Sequence, residues 1–117
     1  MTSPRLNLIV LHSLDPSQTL DFYNFLGIGF EKQQHENGPV HWSADLEGLV
    51  LEVYPVEVPG EVGHSIRLGF EVEDLTCVVH SLRVSGVEIL REIKASNWGL
   101  RAVVRDPDNR SIELLQR

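Results

Sequence analysis

Along residues 49–54, Leu49, Leu51 and Val53 fall in one phase and Val50, Glu52 and Tyr54 in the other. A period of two marks a strand with one face buried. It recurs at 66–72, where Ile66, Leu68, Phe70 and Val72 oppose Arg67, Gly69 and Glu71. It recurs again at 112–115, where Ile112 and Leu114 oppose Glu113 and Leu115. Two segments carry helical signals instead. Asp15 is a good N-cap, Pro16 suits the first helical position, and Leu20, Tyr23 and Leu26 form a stripe that stops before Gly27. Asp74 likewise precedes LTCVVHSLRVS, and Gly86 follows it. Further strands are predicted over 6–12, IGFEKQ, VHWSADL, VEILREI and WGLRAVVR, with turns at HENG, EG and DPDN.

The order is β-α-β-β-β, twice. A spacing of 59 residues separates Asp15 from Asp74 and also Gly27 from Gly86, so helix start and stop repeat without a gap. Glu52 and Glu113 are 61 apart, because the last hairpin of the second copy is two residues longer. Such duplication fixes the architecture. The expectation is one α+β domain of two tandem βαβββ modules, over residues 5–56 and 64–117, with the Pro/Gly-containing stretch 57–63 as linker. Each helix covers the wholly apolar face of its sheet. The mixed faces of both sheets look into a U-shaped, partly open, eight-stranded, barrel-like cleft.

The 117 residues suffice for one core without metal or disulfide staples. Seventeen acidic against ten basic residues give a net charge of −7, which repels phosphate backbones and anionic lipid. Nucleic acid and membrane are therefore not expected partners. The single cysteine, Cys77, suits a reducing compartment and is read as structural. The opening MTSPRLNL lacks the apolar stretch of a secretion signal, and no run approaches the ~18 residues of a membrane span. A cytoplasmic protein is expected. No phosphate-binding glycine loop, zinc motif or serine triad is legible.

The segments LDPSQTLDFYNFLGIGF and NWGLRAVVRDPDNRSIELLQ, joined by the paired βαβββ order, resemble the vicinal oxygen chelate superfamily. This group is also called the glyoxalase/bleomycin resistance/dioxygenase group. The resemblance covers essentially the whole chain and implies a homodimer and a small-molecule ligand. Metal-dependent members place four ligands in the cleft, from the first and last strands of each module. Carried onto this chain, those positions are Leu8, Glu52, Arg67 and Glu113. Leu8 offers no lone pair, and a guanidinium does not ligate. A unit positive charge ~5 Å from a dication is repelled by ~6–7 kcal/mol at an effective dielectric of ~20. No cofactor is expected, and a divalent metal is disfavoured.

Arg67 is instead expected to stand between Glu52 and Glu113 as the central cation of the cleft, either to orient a ligand or as a structural ion pair. His12, in phase with Leu8, and its counterpart Glu71 border the same space. Tyr54, in phase with Glu52, and the loop residue Trp98 offer aromatic contact. By alternation His41 shares a face with Ser43 and Asp45, and it reads equally well as a surface histidine on an edge strand. Three functions follow from these residues. The first is a metal-independent small-molecule binder of the bleomycin-resistance type. The second is a glyoxalase-type lyase or isomerase with Glu113 or Glu52 as general base. The third is a non-catalytic scaffold.

Overall fold

The computed structural model describes residues 3–117. Module one contains β1 (Leu8–Ser13), α1 (Pro16–Phe25), β2 (Glu31–Gln33), β3 (His41–Leu46) and β4 (Leu49–Pro55). Module two contains β5 (Leu68–Glu71), α2 (Leu75–Val84), β6 (Ile89–Ser96), β7 (Gly99–Arg105) and β8 (Ser111–Gln116). The strands form two four-stranded mixed sheets, ordered β1-β4-β3-β2 and β5-β8-β7-β6. In each sheet the first strand pairs parallel with the last, and the other pairs are antiparallel. The sheets are not closed into a barrel. No helix among the described residues is long and apolar enough to cross a membrane.

The helix signals repeat as the sequence predicts. Asp15 accepts a hydrogen bond from the Gln18 amide at 3.3 Å, and Asp74 accepts one from the Cys77 amide at 3.0 Å. Gly27 and Gly86 both follow their helices with positive φ, at 98° and 92°, where a side chain would be strained. The buried stripe of α1 is Thr19, Phe22 and Tyr23, with Leu20 and Leu26 only partly covered. The expected stripe was thus displaced by one position at Leu20. A buried threonine hydroxyl made the difference, for a reason that lies in the other module. Cys77 is exposed and free on α2, so it is no part of the core.

One apolar core serves both modules. It joins Leu11, Phe22, Tyr23, Ala44 and Leu51 to Leu75, Val79, Leu82, Val104, Ile112 and Leu114. The modules are locked together by the DPDN turn, which the sequence presents only as a hairpin end. Asp106, Asp108 and Arg110 are buried there. Asp108 accepts from the Leu14 amide at 3.0 Å and from the Thr19 hydroxyl at 2.7 Å, both in module one. Asp106 accepts from the Tyr23 hydroxyl at 2.8 Å and from the Arg110 guanidinium at 3.0 Å. That guanidinium also donates to the carbonyls of His12, at 2.6 Å, and Val62, at 2.8 Å. The 57–63 linker is therefore pinned by a side chain from the far end of the chain.

The molecule is flat. Its principal extents are 47 × 44 × 24 Å and its radius of gyration is 14.9 Å. A compact chain of this length would have a radius of gyration of about 13 Å. Helices and core hold one side of the slab, and the mixed sheet faces are open.

Candidate functional site

Register decides which side chains meet on the mixed faces. In module one, Ser43 lies opposite Glu52, so His41 lies diagonally beside Glu52 and opposite Tyr54. In module two, Val103 lies opposite Glu113 and Arg101 opposite Leu115. His41 and Arg101 thus hold the same place in the duplicated plan, one cation-forming residue diagonal to each acid. Diagonal pairs across an antiparallel ladder lie within reach of long side chains.

The structure shows both pairs. His41 Nε2 is 3.7 Å from Glu52 Oε2, with the histidine 2% exposed and the glutamate 17%. The imidazole stacks on the Tyr54 ring at 4.3 Å between centroids and 5° between planes. Its Nδ1 lies 3.2 Å from the Pro39 carbonyl, which can only accept, so Nδ1 carries the proton. In module two, the Arg101 guanidinium sits directly on the Glu113 carboxylate. Trp98, 61% exposed, joins Arg101, Glu113 and Leu115 around a shallow hollow of about 350 Å³.

Several expectations are corrected here. Arg67 does not stand between the two glutamates. It is exposed, it precedes β5, and it makes no ion pair with either acid among the described residues. Each acid takes a partner from its own module, because the neighbouring antiparallel strand is nearer than anything across the open cleft. His41 is not an edge residue. β2 pairs outside β3, so the histidine is interior to its sheet and buried.

The remaining candidates lie on or beside the mixed faces. Leu8 is 48% exposed on β1. His12 is exposed and donates from Nδ1 to the Glu61 carbonyl at 2.8 Å, and its own carbonyl receives Arg110. Glu71 is bound by Arg117 Nε at 2.7 Å. Sequence reasoning missed Arg101. Its signal was the DPDN hairpin: with Arg105 closing on Ser111, position 101 must share the face of Glu113.

The donor set does not match the four-ligand metal arrangement. Leu8 is apolar, Arg67 is cationic, and Glu113 is held by Arg101. No three metal-binding side chains converge among the described residues.

A further hollow, about 740 Å³, lies elsewhere, between α1 and the turn after α2, lined by Phe22, Phe25, Val87 and Pro107 among others. His41, Glu52, Arg101, Glu113 and Trp98 do not border it. The paired acids and the exposed tryptophan argue for the mixed faces as the place where chemistry is concentrated.

Duplicated βαβββ units with polar-lined, open sheet faces define a paired-module cleft protein. The model of the Glyoxalase/Bleomycin resistance protein/Dioxygenase superfamily matches residues 5–114, and the chain belongs to that superfamily. Its fold is shared with an antibiotic-binding protein, TnmS3, from Streptomyces sp. CB03234, at 24% identity over 99% of this chain and 98% of that one, with a TM-score of 0.72. A glyoxalase-related enzyme from Fulvimarina pelagi is similar at 24% identity over 97% and 88%, with a TM-score of 0.70. A hypothetical protein from S. aureus is similar at 14% identity over 97% of each chain, with a TM-score of 0.75. No curated protein matches the chain significantly.

Proposed function

We propose that this chain binds a small organic molecule on its mixed sheet faces, without a metal, in the manner of a bleomycin-resistance-type protein. The observation that carries the proposal is Trp98. A large aromatic ring stands exposed beside a charge-paired Arg101–Glu113 couple and a hollow, on the side of the fold that no helix covers. An aromatic platform next to fixed charges suits a flat, polar ligand. That a protein of the same fold is described as antibiotic-binding supports this reading. The mismatch of Leu8 and Arg67 to a ligand set supports the metal-free part, and stoichiometric transition metal in purified protein would refute it.

A second copy completes the cleft in this reading. Module one's mixed face carries Glu31 and Glu52, both opposite Ser43, and Asp45 two residues along, while module two's carries Arg67 and Arg101. Opposite charges favour first module against second module over like against like. A purely monomeric species in sedimentation equilibrium would remove this element.

A second function, a glyoxalase-type lyase or isomerase, is favoured by the His41–Glu52 couple. Glu52 would take the proton next to a substrate carbonyl, with the buried His41 imidazole 3.7 Å beside it. Turnover of a methylglyoxal–thiol adduct that is lost in Glu52→Gln selects this reading over simple binding.

The test of binding is a thermal-shift screen of flat aromatic and polycyclic compounds, read in parallel by tryptophan emission, with Trp42→Phe used to isolate Trp98. A true ligand at a hundred times its dissociation constant adds about 2.7 kcal/mol and raises the midpoint by roughly 10 °C for a domain of this size. Trp98→Ala should lose most of that shift. A hit whose effect is unchanged in Trp98→Ala counts against the site.

A further inference from the structure

The basic residues of this acidic chain are not spread evenly. Of its ten lysines and arginines, four line a single hollow of about 640 Å³ on module two: Arg67, Arg91, Lys94 and Arg101. The carboxylate that lines that hollow, Glu92, and the nearby Glu113 are already engaged. Glu113 is held by Arg101, and Glu92 is held by Arg83, which lies outside the hollow. Arg67, Arg91 and Lys94 form no ion pair among the described residues. Three cations thus converge without internal counter-charge in a molecule whose net charge is −7.

A departure from regular pairing gathers them. In an unbroken β6–β7 ladder, positions 91 and 94 would point to opposite faces. Here Arg91 lies opposite Val103 and Lys94 opposite Arg101, so β6 holds one extra residue between them. Val103 and Arg101 are two apart on β7 and share the face of Glu113. The bulge therefore turns both cations onto the mixed face, as bulges do beside binding sites. Arg67 arrives at the same hollow from the entry to β5. Two residues beyond Arg67, on β5 opposite Glu113, stands Gly69, where even an added Cβ would make only ordinary contact, 3.8 Å from the Glu113 carbonyl oxygen. Arg101 borders both this hollow and the one beneath Trp98, so the two are neighbours.

We infer that this basket is an anion-receiving subsite, and that the ligand is a flat organic acid with its carboxylate or phosphate among Arg67, Arg91 and Lys94 and its ring toward Trp98. The inference rests on the small-molecule reading above. Guanidinium and ammonium donors in a concave site favour such head groups. The overall charge of the chain would favour the opposite sign, so a preference for anions reports the basket and not the bulk field.

The experiment is calorimetric titration with four probes that share one ring system: 2-naphthoate, 2-naphthyl phosphate, neutral 2-naphthol and 2-naphthylmethylammonium. The expected result is that an anionic probe binds at least about tenfold more tightly than the ammonium probe, the worth of one charge-assisted contact. In Arg91→Gln/Lys94→Gln, whose exposed positions leave the core untouched, that preference should vanish while 2-naphthol binding stays. The order of naphthoate and naphthyl phosphate then names the head group. Equal binding of anion and cation, or a preference that survives the double substitution, overturns the subsite and leaves the small-molecule reading standing. No binding of any probe overturns both.

Discussion

Arg110→Met is expected to lower unfolding free energy by about 3–5 kcal/mol, the cost of removing one partner of a buried ion pair. Arg110 and Asp106 have wholly buried side chains, 3.0 Å apart. The guanidinium ties the Asp106 carboxylate to the carbonyls of His12 and Val62. Methionine fills much of the volume but leaves a buried carboxylate, the buried Val62 carbonyl and the part-buried His12 carbonyl without that donor. Domains of this kind have about 5–15 kcal/mol in total, so the loss is a large part of it. Urea unfolding should show the midpoint falling steeply, and a loss under about 1 kcal/mol would mean that the clamp is not what joins the modules.

The same cluster sets an alkaline limit. Burial, and then the neighbouring Asp106 charge and hydrogen bond, push the Tyr23 hydroxyl far above its ordinary value of about 10. Because the folded state holds this proton more tightly, its contribution is complete below the unfolded value and is lost as pH rises above it. Stability should fall by up to about 1.4 kcal/mol per pH unit above pH ~10, and Tyr23→Phe should remove that slope.

Gly99→Ala is expected to destabilise the fold by about 3 kcal/mol or more, the combined cost of a strained φ and of overpacking. Gly99 opens β7 with φ of 136°, and an added Cβ would overlap the Gln116 carbonyl oxygen of β8. The overlapped atom is backbone of a paired strand, Gln116 opposite Leu100, and not the end of a flexible side chain that could yield. The lesion would also displace Trp98, so ligand response and stability should fall together. Gly69→Ala is the control, since its Cβ would meet Glu113 at ordinary contact distance. Thermal denaturation that finds Gly99→Ala within about 0.5 kcal/mol of the parent would contradict the geometry.

The duplication, both helix caps and the division of each sheet into an apolar and a mixed face were legible in the sequence. They depend on local alternation and on residues such as Asp15, Asp74, Gly27 and Gly86, whose conformational preferences act within a few positions. What was not legible depends on distant chain. Arg110 looks like an ordinary turn residue until module one docks on the turn. His41 looks like an edge residue unless the three-residue β2 is known to pair outside it. Arg67 was given a central role because resemblance transfers positions and not neighbours. The nearer partner, Arg101, follows from hairpin register alone. The basket at Arg91 and Lys94 depends on a bulge, which alternation counted along β6 does not reveal.

The most direct measurement is a map of backbone amide shifts on titration with the tightest compound from the screen. The expected shifts centre on Trp98 of the β6–β7 turn and on Arg101, Glu113 and Leu115 of β7 and β8, extending to His41, Glu52 and Tyr54 of module one. Shifts confined to the groove between α1 and residues 85–88, with the mixed faces silent, would contradict this expectation.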